Sequence, residues 1–209
     1  MSLIEKTIID EGKKFLEADN PLKAIECFDE AIDEFKKSGI DQVYYYKGIA
    51  LSSSGNNIEA AKCFYQYILM SHEDAEKCLS NGNNLFDKNL IKAAIIFYDE
   101  AINLNQSLEE AHYRKGLALS ASNEYSNAIV CFEKAISLNP NYAEAYCEKG
   151  IAMDYLNINN NKQANSKIMS CFDKAIEVNQ LYTKAYFAKG KMCYKMNKYE
   201  NAIIMYNKV

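Results

Sequence analysis

EEAHYRKGLALSASNEYSNAIVCFEKAISLNPNY, from Glu109 to Tyr142, is the stretch that decides the fold. Its apolar residues recur at helical spacing, as in Ala128, Ile129, Cys131, Phe132, Ala135 and Ile136. The polar run Ser122-Asn123-Glu124 divides it into two segments. Each is about 14 residues, or about 21 Å at 1.5 Å per residue. The small residues Gly116 and Ala128 let two antiparallel helices approach closely, and the ring of Phe132 fills the space beside them. The stretch reads as one helical hairpin.

The same pattern runs outward in both directions. Glycines stand at 12, 48, 82, 116, 150 and 190, with spacings of 36, 34, 34, 34 and 40. With each glycine at position 8 of a repeat, position 20 is Ala24, Ala60, Ala94, Ala128, Ile168 and Ala202. Position 24 is always a ring: Phe28, Phe64, Tyr98, Phe132, Phe172 and Tyr206. Position 27 is Ala31, Tyr67, Ala101, Ala135, Ala175 and Val209. Position 4 is Tyr44, Tyr146 and Tyr186 in three repeats and Ile8, Cys78 and His112 in the others. A hairpin of this size cannot bury its apolar face alone, so stacked neighbours form the stable unit.

An aromatic at 4, small residues at 8, 20 and 27 and an aromatic at 24 resemble the tetratricopeptide repeat. The resemblance covers Glu5 to Val209, and the best copy even has Pro140 at position 32. Position 7 departs from the family's leucine, with Lys47, Lys115, Lys149 and Lys189. The expected fold is all-α, a right-handed superhelical solenoid of antiparallel helix hairpins in a single array over 5–209. Repeats are expected at 5–40, 41–74, 75–108, 109–142 and 143–182, with a partial sixth at 183–209. Repeat five carries about six extra residues within Asn157 to Lys167, read as an asparagine-rich insertion of low complexity. The chain stops inside a helix with no polar cap after it, so it reads as truncated at the C-terminus.

Composition is compatible with a helical array. Of the 209 residues 49% are hydrophobic and 25% charged, and glycine and proline number only eight and two. A net charge of −4 gives no footprint for nucleic acid. No run approaches the roughly 20 apolar residues of a membrane span, and Met1 to Ile9 lacks the features of a signal peptide. A cytoplasmic location is expected, with no membrane partner. The basic residues are lysines except Arg114, and asparagine is abundant; both read as base-composition bias.

Chemistry-bearing groups do not assemble. Cys27, Cys63, Cys131 and Cys171 share position 23, which reads as one packed sulfur per hairpin. There is no C-x-x-C, and only His72 and His112 could complete a metal site. His112 stands where other repeats place a core aromatic. No catalytic residue, metal or cofactor is expected, and the chain is read as a non-enzyme.

The resemblance implies a concave groove lined by position 5, with position 9 beside it. Expected groove residues are Tyr45, Ile49, Leu79, Asn83, Tyr113, Arg114, Leu117, Ile151 and Phe187. Rings give large contact area at small entropic cost, as peptide recognition requires. The alternative is that these side chains only pack one first helix against the next. Glu110, Glu144, Glu148 and Asp154 give the groove an acidic middle, which suggests an apolar partner segment with some positive charge. A clamp for acidic chaperone C-termini is not expected, since only Arg114 of its basic set is present over repeats two to four. The implied function is a scaffold holding a peptide or helix of another protein. The alternatives are the repeat arm of a larger enzyme or regulator, and a self-assembly module acting through the uncapped end.

Overall fold

The structure, a computed structural model, describes residues 3–34, 40–157 and 159–209. The end of the first expected repeat, 35–39, and Ile158 of the expected insertion lie outside the described residues. Among the described residues every regular element is an α-helix. These are α1 (Leu3–Glu17), α2 (Pro21–Glu34), α3 (Ile40–Ser53), α4 (Asn57–Ser71), α5 (Ala75–Asp87) and α6 (Ile91–Leu104). There follow α7 (Glu109–Ala121), α8 (Tyr125–Leu138), α9 (Ala143–Leu156), α10 (Lys162–Val178), α11 (Thr183–Lys195) and α12 (Tyr199–Tyr206). The chain divides into two compact units, Met1–Leu104 and Asn105–Val209. Each is built of three consecutive hairpins, the two helices of a hairpin packed on each other.

One contact explains the glycine period. A Cβ on Gly48 would lie 2.6 Å from Cε1 of Phe64, and one on Gly150 would lie 2.6 Å from Cε1 of Phe172. The ring at position 24 therefore rests directly on the backbone at position 8 of its own hairpin. Phe28, Phe64 and Phe132 are fully buried by this contact and its surroundings. Each such ring removes an area of order 150–250 Å² from water.

Asparagine has a structural use that base composition does not explain. At position 15, where the first helix ends, Asp19, Gly55, Asn89, Asn123 and Asn197 all have positive φ. Asparagine and aspartate tolerate this left-handed conformation better than other side chains. At position 31, Asn105, Asn139 and Asn179 each accept a hydrogen bond from the amide two residues on, at 3.0 Å. That turn carries the chain into the next segment.

The expected low-complexity insertion is ordered by the same residue type. Asn157 and Asn165 are buried, and Asn157 Nδ2 donates to Asn165 Oδ1 at 2.6 Å. Asn165 Nδ2 donates in turn to Asn160 Oδ1 at 2.8 Å, and Asn157 Oδ1 accepts from the Asn161 amide at 2.9 Å. Asn161 caps α10, accepting from the amides of Gln163 and Ala164. The extra residues thus lengthen α10 to 17 residues and close a polar network over its start.

Three of the lysines at position 7 link hairpins within a unit. Lys149 pairs with Glu133 at 2.7 Å and Lys189 with Asp173 at 2.6 Å, each acid being position 25 of the preceding hairpin. Lys47 pairs with Asp29 in the same way. Such half-exposed pairs contribute roughly 0–1 kcal/mol each and act mainly on register. Across hairpin boundaries α2 packs on α3, α8 on α9 and α10 on α11. Within the first unit the second boundary is different: α4 packs chiefly on α6, the second helix of the next hairpin.

Candidate protein-binding face

In the second unit the first helices of the hairpins, α7, α9 and α11, carry the expected groove residues. Tyr113 on α7 sets its ring 4.8 Å from that of Tyr142 and 6.0 Å from that of Phe132. Arg114 Nε donates to Glu110 Oε1 at 2.6 Å, and the Tyr142 hydroxyl donates to the other Glu110 oxygen. Burial, then the nearby Glu148, pushes the Tyr113 phenol up; burial, then the bond to Glu110, does the same to Tyr142. Both phenols are therefore neutral at neutral pH. With Glu144, Asn139 and Asn141 they border a concavity of about 530 Å³.

A second, more apolar concavity of about 250 Å³ lies between α9 and α11. Ile151, Tyr155 and Phe187 form its apolar walls, and Lys184, Lys191 and Asp154 its polar ones. Phe187 is 51% exposed although its ring touches that of Tyr206, at 5.7 Å between centroids. Tyr155 is held by stacking on Tyr125, 4.6 Å apart and nearly parallel. Leu117 is half-buried. Between Tyr113 and Phe187 the position-5 row is interrupted by Cys147, which is fully buried.

The groove is less acidic than its composition suggests. Glu110 is held by Arg114 and Tyr142, the buried Glu148 accepts from Lys184, and Asp154 accepts from Lys195 at 2.7 Å. Among the described residues, Glu144 and Lys191 have no ion-pair partner. Charge left for a partner is therefore negative beside Tyr113 and positive beside Phe187. Of the four acids expected in the groove's middle, Glu110, Glu148 and Asp154 are paired and Glu144 is left.

The first unit places its expected groove residues differently. Tyr45 is only 6% exposed, and Ile49 and Leu79 are also buried. The Tyr45 ring lies 5.9 Å from Phe97 and 5.1 Å from Tyr67, and its hydroxyl accepts from Asn84 Nδ2 at 3.3 Å. Asn83 is half-buried and accepts the Tyr98 hydroxyl at 3.0 Å. Tyr45, Ile49 and Leu79 thus present no open surface. Sequence reasoning did not single out Tyr142 and Tyr155 for the open face, and it gave Lys191 only as the position-9 residue of repeat six; Tyr142 ends the stretch that decides the fold, a whole hairpin along the chain from the ring it meets.

The remaining chemistry is muted. All seven cysteines are free thiols. Burial pushes Cys78 and Cys147 up to about 12, far from a reactive thiolate at neutral pH. His112 is buried with Nε2 3.2 Å from the Gln106 carbonyl, and burial lowers its pKa.

Sequence models of the tetratricopeptide repeat match residues 109–142, 131–168 and 183–209. Residues 109–168 and 183–209 carry tetratricopeptide repeats. No curated protein sequence matches it. Among solved structures it is similar to MamA, with 23% identity, 77% of this chain and 91% of that one covered, and a TM-score of 0.61. It is similar to YrrB, described as a tetratricopeptide-repeat protein with an unusual peptide-binding site, at 21% identity, 87% and 90% coverage and a TM-score of 0.54. The first such domain of Spaghetti (RPAP3), solved with the HSP90 peptide SRMEEVD, matches at 18% identity over 59% of this chain and 94% of that one, with a TM-score of 0.55. At these identities the likeness concerns the fold. No helix among the described residues is long and apolar enough to cross a membrane.

Proposed function

We propose that this tetratricopeptide-repeat chain is a protein-binding scaffold whose open face in residues 105–209 receives a segment of another protein. The observation that carries the reading is Phe187, a half-exposed ring at position 5, facing Ile151 across a concavity of about 250 Å³. A large apolar side chain held at the edge of a pocket is the usual anchor of a binding hot spot. Lys191 on one side and Glu144 on the other give the face opposite charges along its length. The fitting segment carries an apolar side chain for the Ile151–Phe187 pocket, an acidic group toward Lys191 and a basic group toward Glu144. Tyr113, Arg114 and Leu117 extend the same face on α7. The reading assigns no catalytic step to the chain, since its buried thiols are held protonated and His112 is packed.

Selection from a displayed peptide library tests this directly. Peptides enriched on the wild-type chain are expected to share an aromatic or long aliphatic residue flanked by an acid. They should lose at least tenfold in affinity on Phe187→Ala and on Lys191→Glu. Enrichment that survives both substitutions would move the binding face elsewhere.

A further inference from the structure

Position 5 of a repeat has two fates in this molecule. Tyr113 in the second unit borders an open concavity, whereas Tyr45 in the first is covered. What covers it is a ring of the third hairpin. Phe97 is fully buried, with its centroid 5.9 Å from Tyr45, 5.4 Å from Phe64 and 5.9 Å from Tyr67. Phe97 stands at position 23, where four other repeats have cysteine.

The boundary between the second and third hairpins departs from the commoner repeat residues at four positions. Tyr67 occupies position 27, a small residue in four of the other repeats, and fills the space against which the next first helix would settle. Ser71 replaces the turn asparagine of position 31, and its buried hydroxyl has no hydrogen-bond partner. Position 25 is Tyr65 and position 7 of the next hairpin is Asn81, so the lysine–acid pair of other boundaries has no counterpart here. Asn81 bonds instead to Glu73 at 2.7 Å and to the Tyr67 hydroxyl at 3.3 Å. Without ordinary stacking, the hairpin brings chiefly α6 against α4, with α5 reaching it through Asn81. The turn residues Lys88 and Leu90 then close over Ile49 and Tyr46 around a concavity of about 520 Å³.

From this we infer that the third hairpin acts as a resident ligand: α6 masks a second binding surface, formed by Tyr45, Phe64 and Tyr67 on the second hairpin. The occupant defines what that surface fits. It is an amphipathic helix presenting a small residue and, one turn later, an aromatic ring, as the buried Ala93 and Phe97 do. A partner helix of that pattern competes with α6, so access depends on how easily the α5/α6 hairpin lifts. The inference concerns the first unit alone and does not depend on the open face of the second.

The test uses the full chain and a fluorescein-labelled peptide of residues 91–104, followed by anisotropy. The peptide should bind the Phe97→Ala and Phe97→Leu chains at least tenfold more tightly than the wild type. A peptide carrying Phe97→Ala should lose that affinity. Equal binding to wild type and variants, or binding indifferent to the peptide's ring, overturns the proposal. Hydrogen exchange of the wild-type chain decides the matter if both variants lose helicity. Amides of α5 and α6 should open in a step that leaves α3 and α4 protected at least tenfold more strongly. Exchange of all four helices in one step would make the hairpin ordinary core and end the proposal.

Discussion

A methyl group on Gly116 would sit 2.5 Å from Cε1 of Phe132, inside the closest approach that carbon atoms make. Phe132 is fully buried and cannot retreat without moving α8 away from α7. Gly116→Ala therefore overpacks the hairpin, at a cost of roughly 1–3 kcal/mol. Gly55 offers the opposite case, with nothing within 4 Å of an added Cβ but a φ of +86°. Gly55→Ala meets only backbone strain, about 1–2 kcal/mol. Urea denaturation of both variants should rank Gly116→Ala as the more damaging, and Gly116→Leu as worse again. Equal midpoints would mean that the position-8 contact does not set the hairpin.

Contacts of this kind are why the hairpins were legible in the sequence. Gly116 and Phe132 lie 16 residues apart within one repeat, and the pair recurs wherever the chain makes a hairpin, so periodicity reports packing directly. Tyr45 shows what periodicity misses. Its position predicts an open groove, but its exposure is decided by Phe97, a side chain of the next repeat that reaches it across an irregular boundary. Tyr67, Ser71 and Asn81 each read alone as tolerated variation; only their clustering at one boundary carries the signal. The groove acids were misjudged for a related reason. Lys184 lies 36 residues beyond Glu148 and Lys195 lies 41 beyond Asp154, so charge counted within a repeat leaves out the cation that neutralises it.

The asparagine network beside α10 makes a second prediction. Asn165 is 4% exposed and bonded to both Asn157 and Asn160. Asn165→Ala leaves the buried Nδ2 of Asn157 without its acceptor, while the exposed Asn160 can turn to water. The cost is about 1–3 kcal/mol, the usual penalty for a stranded buried polar group. Asn159→Ala, at an exposed site in the same segment, should fall within about 0.5 kcal/mol of wild type. Thermal melts of the two variants check this, and matching melts would return the segment to a passive insertion.

Buried thiols give the protein an alkaline limit. Cys78 and Cys147 are raised from 9.0 to about 12, by burial first and by Glu73 and Glu148 respectively after it. The folded state holds these protons more tightly than the unfolded chain does. Their contribution is fully present below pH 9 and is lost as pH rises from 9 toward 12. The urea midpoint should therefore fall between pH 9 and 10, before the raised tyrosines add to the slope. A Cys78→Ala, Cys147→Ala chain should start lower, because two cavities are opened, yet lose less over that interval. An unchanged slope would show that other groups govern alkaline unfolding.

Tyr45 and Phe187 share position 5 and should separate stability from binding. Tyr45 is buried against Phe64, Tyr67 and Phe97, so Tyr45→Ala removes a core ring and should cost about 3–5 kcal/mol, the range for large aromatic truncations. Phe187 is half in water and touches one ring, Tyr206, so Phe187→Ala should cost about 1 kcal/mol. Binding should rank them the other way. A peptide selected on the open face should lose more than about 2 kcal/mol of affinity on Phe187→Ala, the scale of an aromatic hot spot. On Tyr45→Ala, measured below its melting transition, the same peptide should bind as to wild type. Lys191→Glu should act mainly through the association rate and lose its effect at high salt, because its ammonium is exposed and screened. Titrations at two salt concentrations, paired with melts of each variant, give both rankings from one set of proteins. If Phe187→Ala melts well below wild type while still binding normally, its ring belongs to the packing of α11 on α12, and the binding face must then be sought around Tyr113 and Arg114.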